Sequence, residues 1–212
     1  MVSTGYESLP APCLPTVATA PGTHVAETVR QPAKILVVGG FGVGKTTLIG
    51  AVSEITPLRT EEIMTTASVG VDDLSLLEHK QTTTVAMDFG RITLSDQLVL
   101  YLFGAPGQQR YWHMWKGLAI GAIGALVLVD TRRLEQSFEV LDELENTPQM
   151  PIAVAINLWP DTTRHPLPKL RQAMGLDDTV PMVECVAPDR DSAIEALRTL
   201  VRHAYDRSQG MQ

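Results

Sequence analysis

From Lys34 onward the chain alternates between short unbroken apolar runs and stretches whose apolar residues recur every three or four positions. Lys34-Ile35-Leu36-Val37-Val38 is a β-branched apolar run that ends in glycine, the pattern of a strand buried on both faces. Lys45 to Ser53 reads as a helix. Thr84 to Leu94 and Leu98 to Phe103 are two strand-like runs, and the short turn Ser95-Asp96-Gln97 between them predicts a hairpin. Further buried strands are expected at Ala122 to Asp130, Pro151 to Leu158 and Pro181 to Val186. Leu134, Phe138, Leu141 and Leu144 make one stripe of an amphipathic helix, with Glu135, Glu139, Asp142 and Glu143 outside it. Ile194, Leu197, Val201 and Ala204 mark a closing helix. Strands alternating with helices predict an α/β fold with a mostly parallel central sheet, helices on both faces and one antiparallel edge strand.

Residues 1–30 break this pattern. They are rich in Pro, Thr, Ala and Ser, and Pro10, Pro12, Pro15 and Pro21, with Pro32 just beyond, argue against a regular element. The expected organisation is a disordered tail over 1–30, one domain over 31–208 and a flexible end over 209–212. Whether the tail is more than a spacer stays open.

Composition narrows the function classes. A net charge of −7 speaks against nucleic acid or an anionic membrane surface as the main partner. Cys13 and Cys185 form no CxxC pair, so neither a disulfide framework nor a zinc site is expected, and a reducing, cytoplasmic setting fits. The start carries neither a basic segment nor an apolar stretch of the secretory kind, and the end carries no prenylation signal. The longest uncharged apolar run, Gly117 to Val129, is shorter than the roughly 20 residues a membrane helix needs. No membrane span is expected, and recruitment through a partner stays open.

The chemistry is concentrated in Gly39-Gly40-Phe41-Gly42-Val43-Gly44-Lys45-Thr46, followed by Thr47. This is the full G-x-x-x-x-G-K-[ST] spacing of a phosphate loop, placed between a predicted strand and a predicted helix. A triphosphate brings about four negative charges together, and inward-pointing backbone N–H groups with no side chains in the way can hold them. The helix opening at Lys45 adds its positive end. Lys45 supplies a point charge for the β- and γ-phosphates, and the Thr46 hydroxyl is placed to ligate Mg²⁺.

Two further segments are candidates for sensing the γ-phosphate. In Lys80-Gln81-Thr82-Thr83-Thr84-Val85-Ala86-Met87-Asp88-Phe89-Gly90, a threonine, with Thr84 nearest the strand, can offer its hydroxyl to Mg²⁺ and its N–H to the phosphate. Threonines also simply favour the start of a strand. In Gly104-Ala105-Pro106-Gly107-Gln108, Gly107 can donate its N–H to the γ-phosphate and Gln108 can orient the attacking water.

The order Gly39–Thr46, Thr82–Thr84, Gly104–Gln108 and Asn157 resembles the Ras-like small GTPases. More narrowly, Gly40–Thr47, Pro57-Leu58-Arg59-Thr60-Glu61-Glu62 and Thr82–Gly90 are similar to the GTPase component of actinobacterial conservons, related to the bacterial polarity GTPases. The resemblance implies a P-loop NTPase fold, cytosolic GTP/GDP binding with Mg²⁺, slow hydrolysis, and work beside a roadblock-type protein and a sensor-kinase-like protein. Two departures stand out. Ras-like chains usually carry Asp-x-x-Gly where this one has Gly104, which removes one magnesium anchor. The guanine-reading motif Asn-Lys-x-Asp is here Asn157-Leu158-Trp159-Pro160-Asp161, with its aspartate one residue late. Asn157, Asp161 and the backbone near Val186 are the base-binding candidates. Other readings are a nucleotide-binding scaffold with little hydrolysis, favoured by Gly104 and Pro160, and an ATP-binding P-loop protein.

Directly after the Gly107 segment, Tyr111, Trp112 and Trp115 crowd together, with Arg110 and His113 among them. Trp, Tyr and Arg dominate binding hot spots, so a partner surface that responds to nucleotide is one expectation. Packing of at least one ring against the sheet is the other.

Overall fold

The computed structural model describes residues 31–59, 87–145, 150–160 and 162–210. The 1–30 tail, the Thr82–Thr84 segment with Thr84, and Asp161 lie outside the described residues. Seven strands form one sheet: β1 (Gln31–Val38), β2 (Leu58–Arg59), β3 (Asp88–Ser95), β4 (Leu98–Gly104), β5 (Ala122–Val129), β6 (Ile152–Asn157) and β7 (Met182–Cys185), in the order β2-β3-β4-β1-β5-β6-β7. β4, β1, β5, β6 and β7 run parallel, and β3 is antiparallel to both β2 and β4. The hairpin is therefore present, but the two-residue β2 covers its outer side.

Among the described residues, five helices cover the sheet: α1 (Lys45–Val52), α2 (Trp115–Ala119), α3 (Glu135–Glu145), α4 (Leu167–Ala173) and α5 (Arg190–Gly210). Successive β1 residues point to opposite faces, and this divides the core into two halves. Ile35 and Val37 join Leu48, Ile49 and Val52 of α1 and Ala193, Ala196, Leu197 and Leu200 of α5. Leu36 and Val38 join Trp115, Val140, Leu141, Leu144 and Leu170 on the other face. β1 is apolar at every position from Ile35 to Val38 because both its faces are covered.

Three expectations are adjusted. Pro32 lies within β1 rather than before it. At that point β1 pairs only with β4, since its pairing with β5 begins at Lys34, so the missing N–H has a side without a ladder partner. The buried stripe of α3 is Ser137, Val140, Leu141 and Leu144, which leaves Phe138 39% exposed. In α5 the small residues Ala193 and Ala196 face the sheet, and Ile194 and Val201 flank them. Small residues at the contact let the helix approach closely.

Candidate functional site

The phosphate loop leaves β1 at its C-terminal end, where Gly39 and Gly40 are buried and Phe41 and Gly42 are exposed. Gly44 caps α1 in the left-handed region at φ 109°, and its carbonyl accepts from the Leu48 N–H at 2.9 Å. A Cβ on Gly44 would stand 2.8 Å from Nδ2 of Asn157, so backbone freedom and space both require glycine there. Arg190, at the start of α5, donates to the carbonyls of Ala51 and Val52 and closes the far end of α1. The helix that carries Lys45 and Thr46 is thus held at both ends.

Lys45 is buried, and its Nζ donates to the carbonyls of Gly39 at 2.8 Å and Gly40 at 2.9 Å. Burial pushes its ammonium down to about 8, partly opposed by the Asp88 carboxylate. Bound phosphates stabilise the charged form and raise that value, so binding takes up a proton wherever free Lys45 has lost one. Nucleotide affinity is therefore expected to be full below pH 8. It should fall by up to about tenfold per pH unit above it, until the bound-state value is reached. Titrations with a fluorescent nucleotide between pH 7 and 9.5 check this, and a flat profile would contradict it.

The Thr46 hydroxyl donates to Oδ2 of Asp88 at 2.5 Å. Asp88 opens β3 and stands cross-strand from Gly104, the last residue of β4. A Cβ on Gly104 would lie 3.0 Å from the Cβ of Asp88. Asp88 thus places a carboxylate close to where a side chain at position 104 would start. A hydroxyl and a carboxylate beside a phosphate loop are the hard oxygen donors Mg²⁺ takes when phosphates complete its shell, so this donor set fits that ion. Nothing local in the sequence marks Asp88 for this place, because its position depends on the β3–β4 register. Among the described residues, no group of three or more His, Cys, Asp or Glu gathers to form another metal centre.

Gly107 follows β4 and lies directly on the loop. A Cβ there would meet Nζ of Lys45 at 2.6 Å and the Gly40 carbonyl oxygen at 2.9 Å. Its backbone is therefore beside the place where Lys45 would meet a phosphate. Gln108 comes next, in extended conformation, and its carbonyl accepts from the Tyr111 N–H at 3.0 Å to start the 3-10 turn Gln109–Met114.

Asn157 stands where three segments meet. Its Nδ2 donates to the Val43 carbonyl at 2.9 Å, and its Oδ1 accepts from the Ala187 N–H at 3.0 Å. One buried amide thus joins the phosphate loop, the end of β6 and the loop after β7. The Val186 N–H donates to Oγ of Ser192 at 2.9 Å, so that donor is already used. Cys185 is buried and its thiol is pushed up to about 11 by burial, the state of a packed, unreactive cysteine.

The aromatic group divides. Trp115 is 1% exposed, and its Nε1 donates to the Pro106 carbonyl at 3.1 Å, so it belongs to the core and not to a partner surface. Trp112 is half-buried with its ring 5.1 Å from that of Trp115, and Tyr111 is half-buried with the Arg110 guanidinium 4.7 Å from its ring. His113 is exposed, with Nδ1 3.0 Å from the Arg110 carbonyl. Trp115→Ala is expected to cost about 3–5 kcal/mol and lower the melting temperature by about 10 °C. Thermal unfolding followed by circular dichroism measures this, and a shift of a degree or two would return Trp115 to the surface.

Among the described residues, no helix is long and apolar enough to cross a membrane. A search of curated protein sequences finds no significant match. Among solved structures, the chain is similar to the G domain of the T. maritima FeoB iron transporter, with a TM-score of 0.58 and 17% identity over 82% of this chain and 99% of that one. At that identity the likeness establishes the fold, that of a G domain. Residues 37–158, more than half of the chain and including the phosphate loop, Asp88, Gly107 and Asn157, match one family along their length. The chain belongs to the P-loop family described as "Conserved hypothetical ATP binding protein".

Proposed function

We propose that this protein is a cytoplasmic GTP-binding switch that hydrolyses GTP slowly and works in a signalling complex with a roadblock-type partner and a sensor-kinase-like protein. The observation that carries the nucleotide reading is the convergence on one phosphate loop of Lys45, Thr46, Asp88 and Gly107, with Asn157 tying the loop to the base side. Gly39, Gly40, Phe41, Gly42, Val43, Gly44 and Thr47 complete the cradle. Thr46 and Asp88 would hold Mg²⁺, together with Thr84 if that segment folds over the site. The ion, when bound, would neutralise charge on the phosphates. Lys45 would move from the Gly39 and Gly40 carbonyls to the β- and γ-phosphates. The Gly107 N–H would meet the γ-phosphate, and Gln108 would align water for attack on the γ-phosphorus, releasing GDP and phosphate. Loss of the γ-phosphate would release Gly107 and with it the turn that carries Tyr111, so a partner resting there could distinguish the two states.

The second reading is an ATP-binding protein, favoured by the family's description and by Pro160 in the place of the guanine-reading aspartate. Asp161 and the backbone around Val186 are the remaining candidates for base contact. Competition of unlabelled GTP and ATP for the bound fluorescent nucleotide separates the two readings, and equal displacement would remove the guanine preference. Single-turnover hydrolysis tests the switch. The wild type is expected to run at about 10⁻⁴ to 10⁻² per second and Gln108→Ala at least about tenfold slower. Equal rates would favour a scaffold with little hydrolysis.

A further inference from the structure

The segment after β5 runs beside the phosphate loop. Oε1 of Gln136 stands 2.5 Å from the position a Cβ on Gly40 would take, and Nη2 of Arg133 stands 3.3 Å from the equivalent position on Gly42.

Two arginines share one acid here, and they share it unequally. Asp130 is 4% exposed at the end of β5. Arg132 satisfies it almost completely, with Nε at 2.9 and 3.2 Å, Nη2 at 2.6 Å and its main-chain N–H at 3.0 Å. The Arg132 guanidinium also lies 3.8 Å from the Trp159 ring centre, so it is committed on both sides. Burial pulls the Asp130 carboxyl upward, but hydrogen bonds from Arg132 and the charges of Arg132 and Arg133 hold it below its usual range. Arg133 reaches the same carboxylate only at 3.7 Å, beyond hydrogen-bond distance, and its side chain is 40% exposed. One carboxylate between two guanidiniums leaves a net positive charge at the rim of a loop built to surround an anion.

We propose that Arg133 is a phosphate-binding residue. It leaves Asp130 when nucleotide enters and donates from its guanidinium to a non-bridging phosphate oxygen on the Gly42 side of the loop. Arg132, held by Asp130 and Trp159, stays as the fixed arm of the pair. The inference rests on the nucleotide-binding reading above. It extends the cradle beyond the sequence motif, to a cation from the next β–α connection. Arginine suits the position because its planar fork meets phosphate oxygens in pairs and stays charged at every working pH.

The test is titration of the full chain with fluorescent GDP and fluorescent ADP, for wild type, Arg133→Ala, Arg133→Lys and Arg198→Ala. Arg198 lies on α5, away from the loop, and removes the same charge. Arg133→Ala is expected to weaken binding of the preferred diphosphate about tenfold, the scale of one partly exposed charge-assisted contact. Arg133→Lys should recover part of the loss, and Arg198→Ala should stay within twofold. The same nucleoside without phosphates should bind Arg133→Ala and wild type equally. If Arg133→Ala and Arg133→Lys both bind within twofold of wild type while Lys45→Ala does not bind, the nucleotide reading stands and the role of Arg133 is overturned. If the wild type binds neither diphosphate, both readings fall. A loss confined to the hydrolysis rate, with unchanged affinity, also overturns the proposal.

Discussion

Lys45→Ala is expected to weaken nucleotide binding by roughly a hundredfold to ten-thousandfold, because two charge-assisted contacts to phosphate are lost at about 1.5–3 kcal/mol each. In the free protein the same ammonium is buried at a cost, which is why it is pushed down to about 8. Removing it leaves the Gly39 and Gly40 carbonyls without this donor but also relieves a desolvated charge. These effects oppose one another, so the melting temperature should move far less than the affinity does. A fluorescent-nucleotide titration beside a thermal melt reads both quantities. Unchanged affinity would mean that the loop holds no phosphate.

The second large effect is expected at Asp88. Asp88→Asn keeps the side-chain shape and its place beside Thr46 but removes the charge that would hold Mg²⁺. Wild type and variant should bind diphosphate about equally in EDTA. Added Mg²⁺ should then strengthen the wild type but leave the variant about 10–100-fold behind, the usual cost of weakening a metal's anchoring. Asp88 is also the charge that raises the titration point of Lys45. The variant's affinity should therefore begin to fall at a lower pH than that of wild type. If the variant gains from Mg²⁺ as fully as the wild type does, Asp88 holds no ion.

What could be read in the sequence depended on how far apart the cooperating residues lie in it. The phosphate loop was legible because Gly39 to Thr46 are contiguous and one local backbone shape holds them all. The strands were legible because full burial leaves unbroken apolar runs such as Ile35 to Val38. The hairpin was legible from its turn, whereas the two-residue β2 that covers it gave no periodic signal. α4 was missed for a similar reason: seven residues with one buried leucine make too weak a stripe. Asp88 needed the antiparallel register, and Arg133 needed the approach of one loop to another, neither of which is local. Composition does not tell which of Tyr111, Trp112 and Trp115 packs inside. The burial of Trp115 follows from the way the turn Gln109–Met114 folds the indole back toward Pro106.

The pairing of Asp88 with Gly104 also limits how such a site can change over generations. A carboxylate at this point can be delivered from either of two adjacent strands. Both at once would crowd, since a side chain on Gly104 would begin 3.0 Å from the Cβ of Asp88. An aspartate gained at 104 first would crowd two negative charges together, and an aspartate lost at 88 first would leave none. A change from one arrangement to the other therefore asks for both positions to change together. A pattern search that looks for the acid on only one strand will overlook a chain that carries it on the other.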